Sequence, residues 1–71
     1  MSGRPEKHSL TLNGHRTSVS LEAAFWAAFR DLAAARRVTL NTLAAEIDAG
    51  RGDVGLASAI RVEVLRALSA G

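Results

Sequence analysis

Apolar and polar residues alternate in the twelve-residue stretch LTLNGHRTSVSL, which begins at Leu10. An alternation with a period of two is typical of a β-strand with one buried face and one face in solvent. Asn13-Gly14 lies in the middle of the stretch, and this dipeptide between alternating residues is the strongest short-range signal for a two-residue hairpin turn. The pattern therefore predicts an antiparallel hairpin with strands over residues 9–12 and 15–21.

The predicted register sorts the strand residues onto two faces. A two-residue turn pairs Leu12 with His15, and every second residue from there falls on the same side. The face predicted to join the core contains Leu10, Leu12, Thr17, Val19 and Leu21. The opposite face contains only hydrogen-bonding side chains: Ser9, Thr11, Arg16, Ser18 and Ser20.

After the hairpin, apolar residues recur with the spacing of amphipathic helices. In residues 22–36 the stripe runs through Phe25, Phe29 and Leu32, and alanines with high helix propensity fill much of the rest. Trp26 lies one step off this stripe. Its environment stays open between partial exposure against the guanidinium of the arginine four residues later and burial against a partner chain.

Two further helices follow. Thr39 is a good N-cap for a second helix over residues 40–49, which buries Leu43 and Ile47. The glycine-containing segment GRGDVG ends it, and the apolar spacing predicts a third helix over residues 56–70.

The turn between the first two helices contains an unusual residue. Arg37 stands where a glycine would adopt the left-handed conformation comfortably. Either this turn has another geometry, or Arg37 carries a strain of roughly 1 kcal/mol.

The N-terminal residues predict no folded element. Residues 1–8 contain Gly3 and Pro5 among polar and charged neighbours, so we expect a flexible arm ahead of a single domain over residues 9–70. No apolar run typical of a signal peptide follows, and no stretch approaches the roughly 20 apolar residues of a membrane span. Together with the absence of cysteine, this favours a cytoplasmic protein with no membrane partner.

The size of the chain points to self-association. A domain of 71 residues buries only about 60% of the surface that its unfolded chain exposes. Its large apolar side chains are few, and without cysteine it has no disulfide to stabilise it. Oligomerisation is the remaining source of buried area, so we expect a homodimer.

Charge and candidate chemistry favour binding over catalysis. The net charge of +2 is ordinary for this size, but eight of the nine basic residues are arginines, whose guanidinium groups suit phosphates and base edges. His8 and His15 match no zinc spacing, and the acidic residues form no catalytic motif or calcium loop. We therefore expect no metal, no cofactor, no small-molecule substrate and no enzymatic activity.

The order of these segments resembles a known family. A polar-faced strand, RTSVSL, leads directly into the helix EAAFWAAFRDLAAARR and then into the capped helix VTLNTLAAEI. This order resembles the ribbon-helix-helix repressors of the Arc and MetJ type. HRTSVSLEAAFW, with TLAAEIDA and LASAIRVEVL, is similar to a group of short bacterial proteins of that fold, and the resemblance covers about Ser9 to Leu68. It implies a mostly α fold with a short β-ribbon, in this chain with an N-terminal hairpin and an additional C-terminal helix.

The resemblance also implies a function. In this family the strands of an intertwined homodimer form a ribbon that enters the major groove of double-stranded DNA. Whether the dimers of this chain assemble further on DNA stays open. The resemblance implies a sequence-specific transcriptional repressor. The base-contacting positions are then Arg16, Ser18 and Ser20. A DNA phosphate is expected at the start of the second helix, with Thr39 as cap and the amides of Leu40 and Asn41. The shared dimer core is expected to contain Val19, Leu21, Phe25, Phe29, Leu32, Leu43 and Ile47.

The predicted hairpin leaves the mode of binding open. A dimer of hairpins has four strands, spaced about 4.8 Å apart, whereas a groove about 12 Å wide admits a two-stranded ribbon. The outer strands twist back so that Ser9 and Thr11 contact the DNA backbone, or the first strand separates as an arm. A third alternative is a protein-interaction module of the same fold, which docks a partner through Trp26 and the third helix and does not contact DNA.

One alternative register concerns the helices. The segment SAIRVEVLRAL in the third helix also resembles a second helix of the family. Placing the second helix there would leave a long irregular middle segment, which is uncommon in a compact domain. The assignment to residues 40–49 avoids that loop and is preferred.

Overall fold

The structure is a computed structural model that describes residues 3–70. Met1 and Ser2, which belong to the expected arm, and Gly71 lie outside the described residues. The elements in chain order are β1 (Pro5–Leu12), β2 (His15–Glu22), α1 (Ala23–Ala35), α2 (Leu40–Gly50) and α3 (Leu56–Ala70). The predicted fold, a hairpin followed by three helices, is confirmed.

The turn of the hairpin has the geometry that its dipeptide predicts. Asn13 and Gly14 both have positive φ, at 53° and 83°, as a type I′ turn requires. The register pairs Leu12 with His15 and continues through eight residue pairs to Pro5 and Glu22. Leu10 and Leu12 are buried against the helices.

The first strand is longer than the sequence predicts. β1 begins at Pro5 rather than at residue 9, so residues 5–8 belong to the hairpin and not to the expected flexible arm. The indole Nε1 of Trp26 donates a hydrogen bond of 2.8 Å to the backbone carbonyl of Glu6, and the His8 ring lies edge-on to the indole at 4.7 Å. These contacts with α1 compensate for the ordering of a segment that has few apolar side chains of its own.

Trp26 is therefore a core residue of its own chain. It is 1% exposed and lies on the buried line of α1 with Phe29 and Ala33. The sequence left two environments open for Trp26, partial exposure against the Arg30 guanidinium and burial against a partner chain, and neither is fully correct. The Arg30 guanidinium does lie 5.9 Å from the ring centroid, but the indole itself is covered by the hairpin and not by a partner.

The core lies between the inner face of the hairpin and the three helices. Seven residues were predicted for a shared dimer core. Four of them are already buried within one chain: Val19, Leu21, Phe29 and Leu43. The other three are partly buried and pack against that core: Phe25, Leu32 and Ile47. Participation of these residues in a dimer core stays a prediction.

The turn between α1 and α2 resolves the alternatives for Arg37. Arg37 has a φ of 58°, and its N–H donates to Ala34 while the N–H of Val38 donates to Ala33. This pair of bonds is the Schellman motif, which ordinarily has glycine at the left-handed position. Arg37 therefore occupies a conformation that costs an L-residue roughly 1 kcal/mol.

The third helix packs against both the hairpin and the first two helices. Ile60 and Val64 are buried, and two ion pairs join α3 to the rest of the domain. Arg36 contacts Glu63 at 2.9 Å, and Arg61 contacts Glu22 at 2.9 Å. No helix among residues 3–70 is long and apolar enough to cross a membrane.

Candidate nucleic-acid interface

The hairpin has a continuous polar face on the side away from the helices. Because side chains alternate along both strands, three cross-strand pairs point to this side. The pairs are Lys7 with Ser20, Ser9 with Ser18, and Thr11 with Arg16. All six residues are exposed. We call this six-residue surface the outer face.

The outer face is basic. Its two charged side chains are Lys7 and Arg16, and the other four members carry hydroxyl groups. One carboxylate, that of Glu22, stands at the far end of the hairpin beside Pro5. The Arg61 guanidinium donates two hydrogen bonds to this carboxylate, at 2.9 and 3.0 Å, and so compensates the negative charge. A phosphate approaching the middle of the outer face therefore meets hydroxyl donors and cations.

The pKa of the Glu22 carboxyl is lowered in the folded chain. The first cause is interaction with its own backbone amide, and the second is the hydrogen bond from Arg61. Both favour the charged form, as expected for a carboxylate at the N-cap position of a helix and beside a guanidinium. Glu22 is thus held as an anion that Arg61 compensates.

The backbone of β2 faces an open edge at the same residues. The N–H of Thr11 donates to the Asn41 side chain at 3.1 Å, and not across the hairpin. The backbones of Thr11 and its cross-strand partner Arg16 therefore do not exchange hydrogen bonds with each other. Since such pairs alternate along an antiparallel ladder, the backbone groups of Arg16, Ser18 and Ser20 point away from β1. At Ser20 the Arg61 guanidinium reaches the backbone carbonyl at 3.5 Å. Another strand can add at the rest of this edge, along Arg16 and Ser18.

The start of α2 adjoins the opposite edge of the hairpin. The Thr39 hydroxyl accepts the N–H of Thr42 at 3.0 Å, as a capping residue does. The amides of Leu40 and Asn41, in the first turn, have no partner within an α-helix. The bond from Thr11 to the Asn41 side chain joins this helix end to β1.

The structure thus places the predicted site residues in two adjoining groups. Arg16, Ser18 and Ser20 share the outer face with Ser9 and Thr11. The second group, Thr39, Leu40 and Asn41, adjoins this face at Thr11, whose backbone N–H bonds to the Asn41 side chain.

Lys7 is the member of the outer face that sequence reasoning missed. It was assigned to the expected arm because Pro5 and several charged residues surround it. The alternation that contains Leu12 and Leu10 continues backwards through His8, and following it would have placed Lys7 on the polar side. The Asn-Gly turn fixes the register and therefore the face on which Lys7 lies if the strand reaches it, but it does not fix how far the strand extends.

Among residues 3–70, no group of three or more histidine, cysteine or acidic side chains could hold a metal ion.

Comparison with known proteins identifies the family. No curated protein matches the chain, and no solved structure matches it. A family model described as a ribbon-helix-helix domain matches residues 5–68, which include both strands, α1, α2 and most of α3. The chain therefore belongs to the ribbon-helix-helix domain family, whose members are typically DNA-binding transcription regulators.

Proposed function

We propose that this protein is a homodimeric, sequence-specific DNA-binding regulator of transcription that acts as a repressor. The observation that carries the proposal is the exposed outer face, with two cations and four hydroxyl-bearing side chains beside an open strand edge. Family membership supports the same function.

The two β2 strands of the dimer form the part that enters the groove. Pairing at the open edge places Arg16, Ser18 and Ser20 of both protomers on one two-stranded ribbon. Such a ribbon fits a major groove about 12 Å wide. Arg16 is the main discriminating residue, because a guanidinium bonds in bidentate fashion to O6 and N7 of guanine while serine accepts several bases.

The two β1 strands flank this ribbon and lie over the phosphates. Separation of β1 as an arm would expose Leu10 and Leu12 and break the hydrogen bond from Trp26, so the paired hairpin is the binding form. Strands about 4.8 Å apart then place the outer pair above the rims of the groove. Ser9, Thr11 and Lys7 contact the DNA backbone there.

The start of α2 supplies a second phosphate contact. The amides of Leu40 and Asn41 and the positive end of the helix dipole favour an anion, and the Thr39 cap holds this helix end in place. Asn41 couples it to the hairpin through Thr11. The contact fixes the orientation of the ribbon and carries no sequence information.

The test starts with selection from random duplexes at two salt concentrations. The selected site is then titrated with wild type and with the Arg16→Ala/Ser18→Ala variant. Loss of the guanine contact in both protomers should lower specific affinity at least about 30-fold, because each of the two bidentate contacts contributes about 1–3 kcal/mol. Arg66→Ala is the matched control, since it removes an exposed arginine from α3. Equal affinity of wild type and the double variant would contradict the role of the outer face.

The salt dependence tests β1 separately. Lys7→Gln should weaken binding to all sequences alike and make the slope of log affinity against log salt shallower by about 2 per dimer. An unchanged slope would place β1 away from the phosphates.

A further inference from the structure

Glu22 ends the row of β2 residues that the proposed function assigns to DNA. At every second position of this strand stand, in order, Arg16, Ser18, Ser20 and Glu22. A rise of about 3.3 Å per residue separates neighbours in the row by roughly 7 Å. The Debye length at physiological salt is about 8 Å, so an uncompensated carboxylate at Glu22 would repel a phosphate near Ser20 with only partial screening.

A residue of α3 compensates this charge. The Arg61 guanidinium donates to one carboxylate oxygen of Glu22 from Nε at 3.0 Å and from Nη2 at 2.9 Å. It also reaches the backbone carbonyl of Ser20 at 3.5 Å and lies 5.7 Å from the centroid of the Phe25 ring. The side chains of Arg61 and Glu22 are 32% and 33% exposed, so the pair lies at the surface beside the outer face.

Anchoring of α3 does not account for this pair. Ion pairs at a protein surface contribute little to stability, because water screens them and two long side chains lose freedom. The helix is held chiefly by apolar contacts, since Ile60 and Val64 are buried in the core. The pair does, however, remove a negative charge from the end of the outer face.

We infer that Arg61 is a positioning residue of the DNA interface, which neutralises Glu22 so that a phosphate can approach the Ser20 end of the outer face. The inference rests on the proposed function, in which the outer face contacts DNA. Arg61 acts through Glu22 and needs no contact with DNA itself. The third helix thereby contributes to DNA binding through electrostatics and reads no base.

The test titrates the selected duplex with the full chain and its variants at two salt concentrations. Arg61→Gln leaves an uncompensated anion in each protomer, because the first cause of the lowered pKa of Glu22 is its own backbone amide. Specific affinity should fall about 10-fold, with a larger loss at the lower salt concentration. Arg61→Gln/Glu22→Gln removes the anion as well, and its affinity should return to within about threefold of wild type.

Arg66→Gln is the matched control for net charge. It removes the same formal charge from an exposed position of the same helix, and it should change the affinity less than about threefold. An equal loss with Arg66→Gln and Arg61→Gln would assign the effect to net charge and overturn the inference.

The rescue distinguishes this role from a structural one. If the pair only fastened α3, the double variant, which also lacks the pair, would bind as weakly as Arg61→Gln, and the inference would be wrong. Equal affinity of wild type and Arg61→Gln would overturn the inference and leave the proposed function intact. A wild type that binds no duplex specifically would overturn both.

A second variant decides if Arg61→Gln does not fold, as judged by far-ultraviolet circular dichroism. Glu22→Gln leaves Arg61 as an uncompensated cation beside the outer face. Specific affinity should then rise at least about threefold, more strongly at low salt. No increase in affinity would contradict the inference.

Discussion

The two faces of the hairpin belong to the same two strands, but their side chains differ in polarity, in burial and in what they contribute to the protein. Leu21 and Val19 point to the helices and are buried, whereas their neighbours Ser20 and Ser18 point to solvent. The inner face stabilises the domain through apolar burial, and the outer face contributes little to folding. Stability and recognition are therefore separated by a single step along the strand.

The largest expected effect is at the inner face. Leu21→Ala should lower the free energy of unfolding by about 2–5 kcal/mol, since the side chain is fully buried and leaves a cavity. Ser20→Ala, one residue away, should change it by less than about 0.5 kcal/mol. Urea unfolding followed by circular dichroism measures both. Similar losses of stability at the two positions would contradict the claim that only the inner face stabilises the domain.

Trp26 tests how the inner face holds the start of β1. Trp26→Phe removes the donor to the Glu6 carbonyl and part of the buried ring, which should cost about 1–3 kcal/mol. Hydrogen exchange of the backbone amides of residues 6–8 should accelerate more than exchange near the turn. Uniform acceleration across both strands would show that the indole stabilises the whole domain and not this segment.

Arg37 sharpens the comparison, because here an exposed position affects stability through its backbone. Arg37→Gly should raise the free energy of unfolding by up to about 1 kcal/mol, because glycine adopts a φ of 58° without a Cβ penalty. Arg37→Ala keeps the Cβ and removes the guanidinium, so it should give no such gain. Thermal unfolding of the two variants distinguishes backbone strain from charge, and equal gains would exclude strain as the cause.

The smallest expected effect concerns pH. The pKa of Glu22 is below its ordinary value of 4.5 in the folded chain. Its stabilising contribution is therefore present above the pKa of the unfolded chain and is lost as the pH falls through the folded pKa. Glu22→Gln should have a slightly lower Tm than wild type at pH 7, and the difference should vanish in acid. A difference that does not shrink as the pH falls below the pKa of the unfolded chain would contradict this assignment.

Much of the fold could be predicted because its signals are local. The Asn-Gly turn, the alternation around it and the Thr39 cap each depend on residues a few positions apart, and all three are present in the structure. The polar set on β2 followed from the same alternation. Lys7 was missed because a charged, proline-containing segment has no local preference for a strand.

The sequence by itself determined the hairpin, its register and the division of its side chains between core and solvent, since a period of two and a two-residue turn leave no other arrangement. Only the tertiary structure decided how far β1 extends, where Trp26 lies and which edge of the hairpin stays open. Trp26 bonds to a residue 20 positions away, and Asn41 to one 30 positions away. Such contacts depend on how α1 and α2 pack against the sheet, and no local pattern encodes that packing.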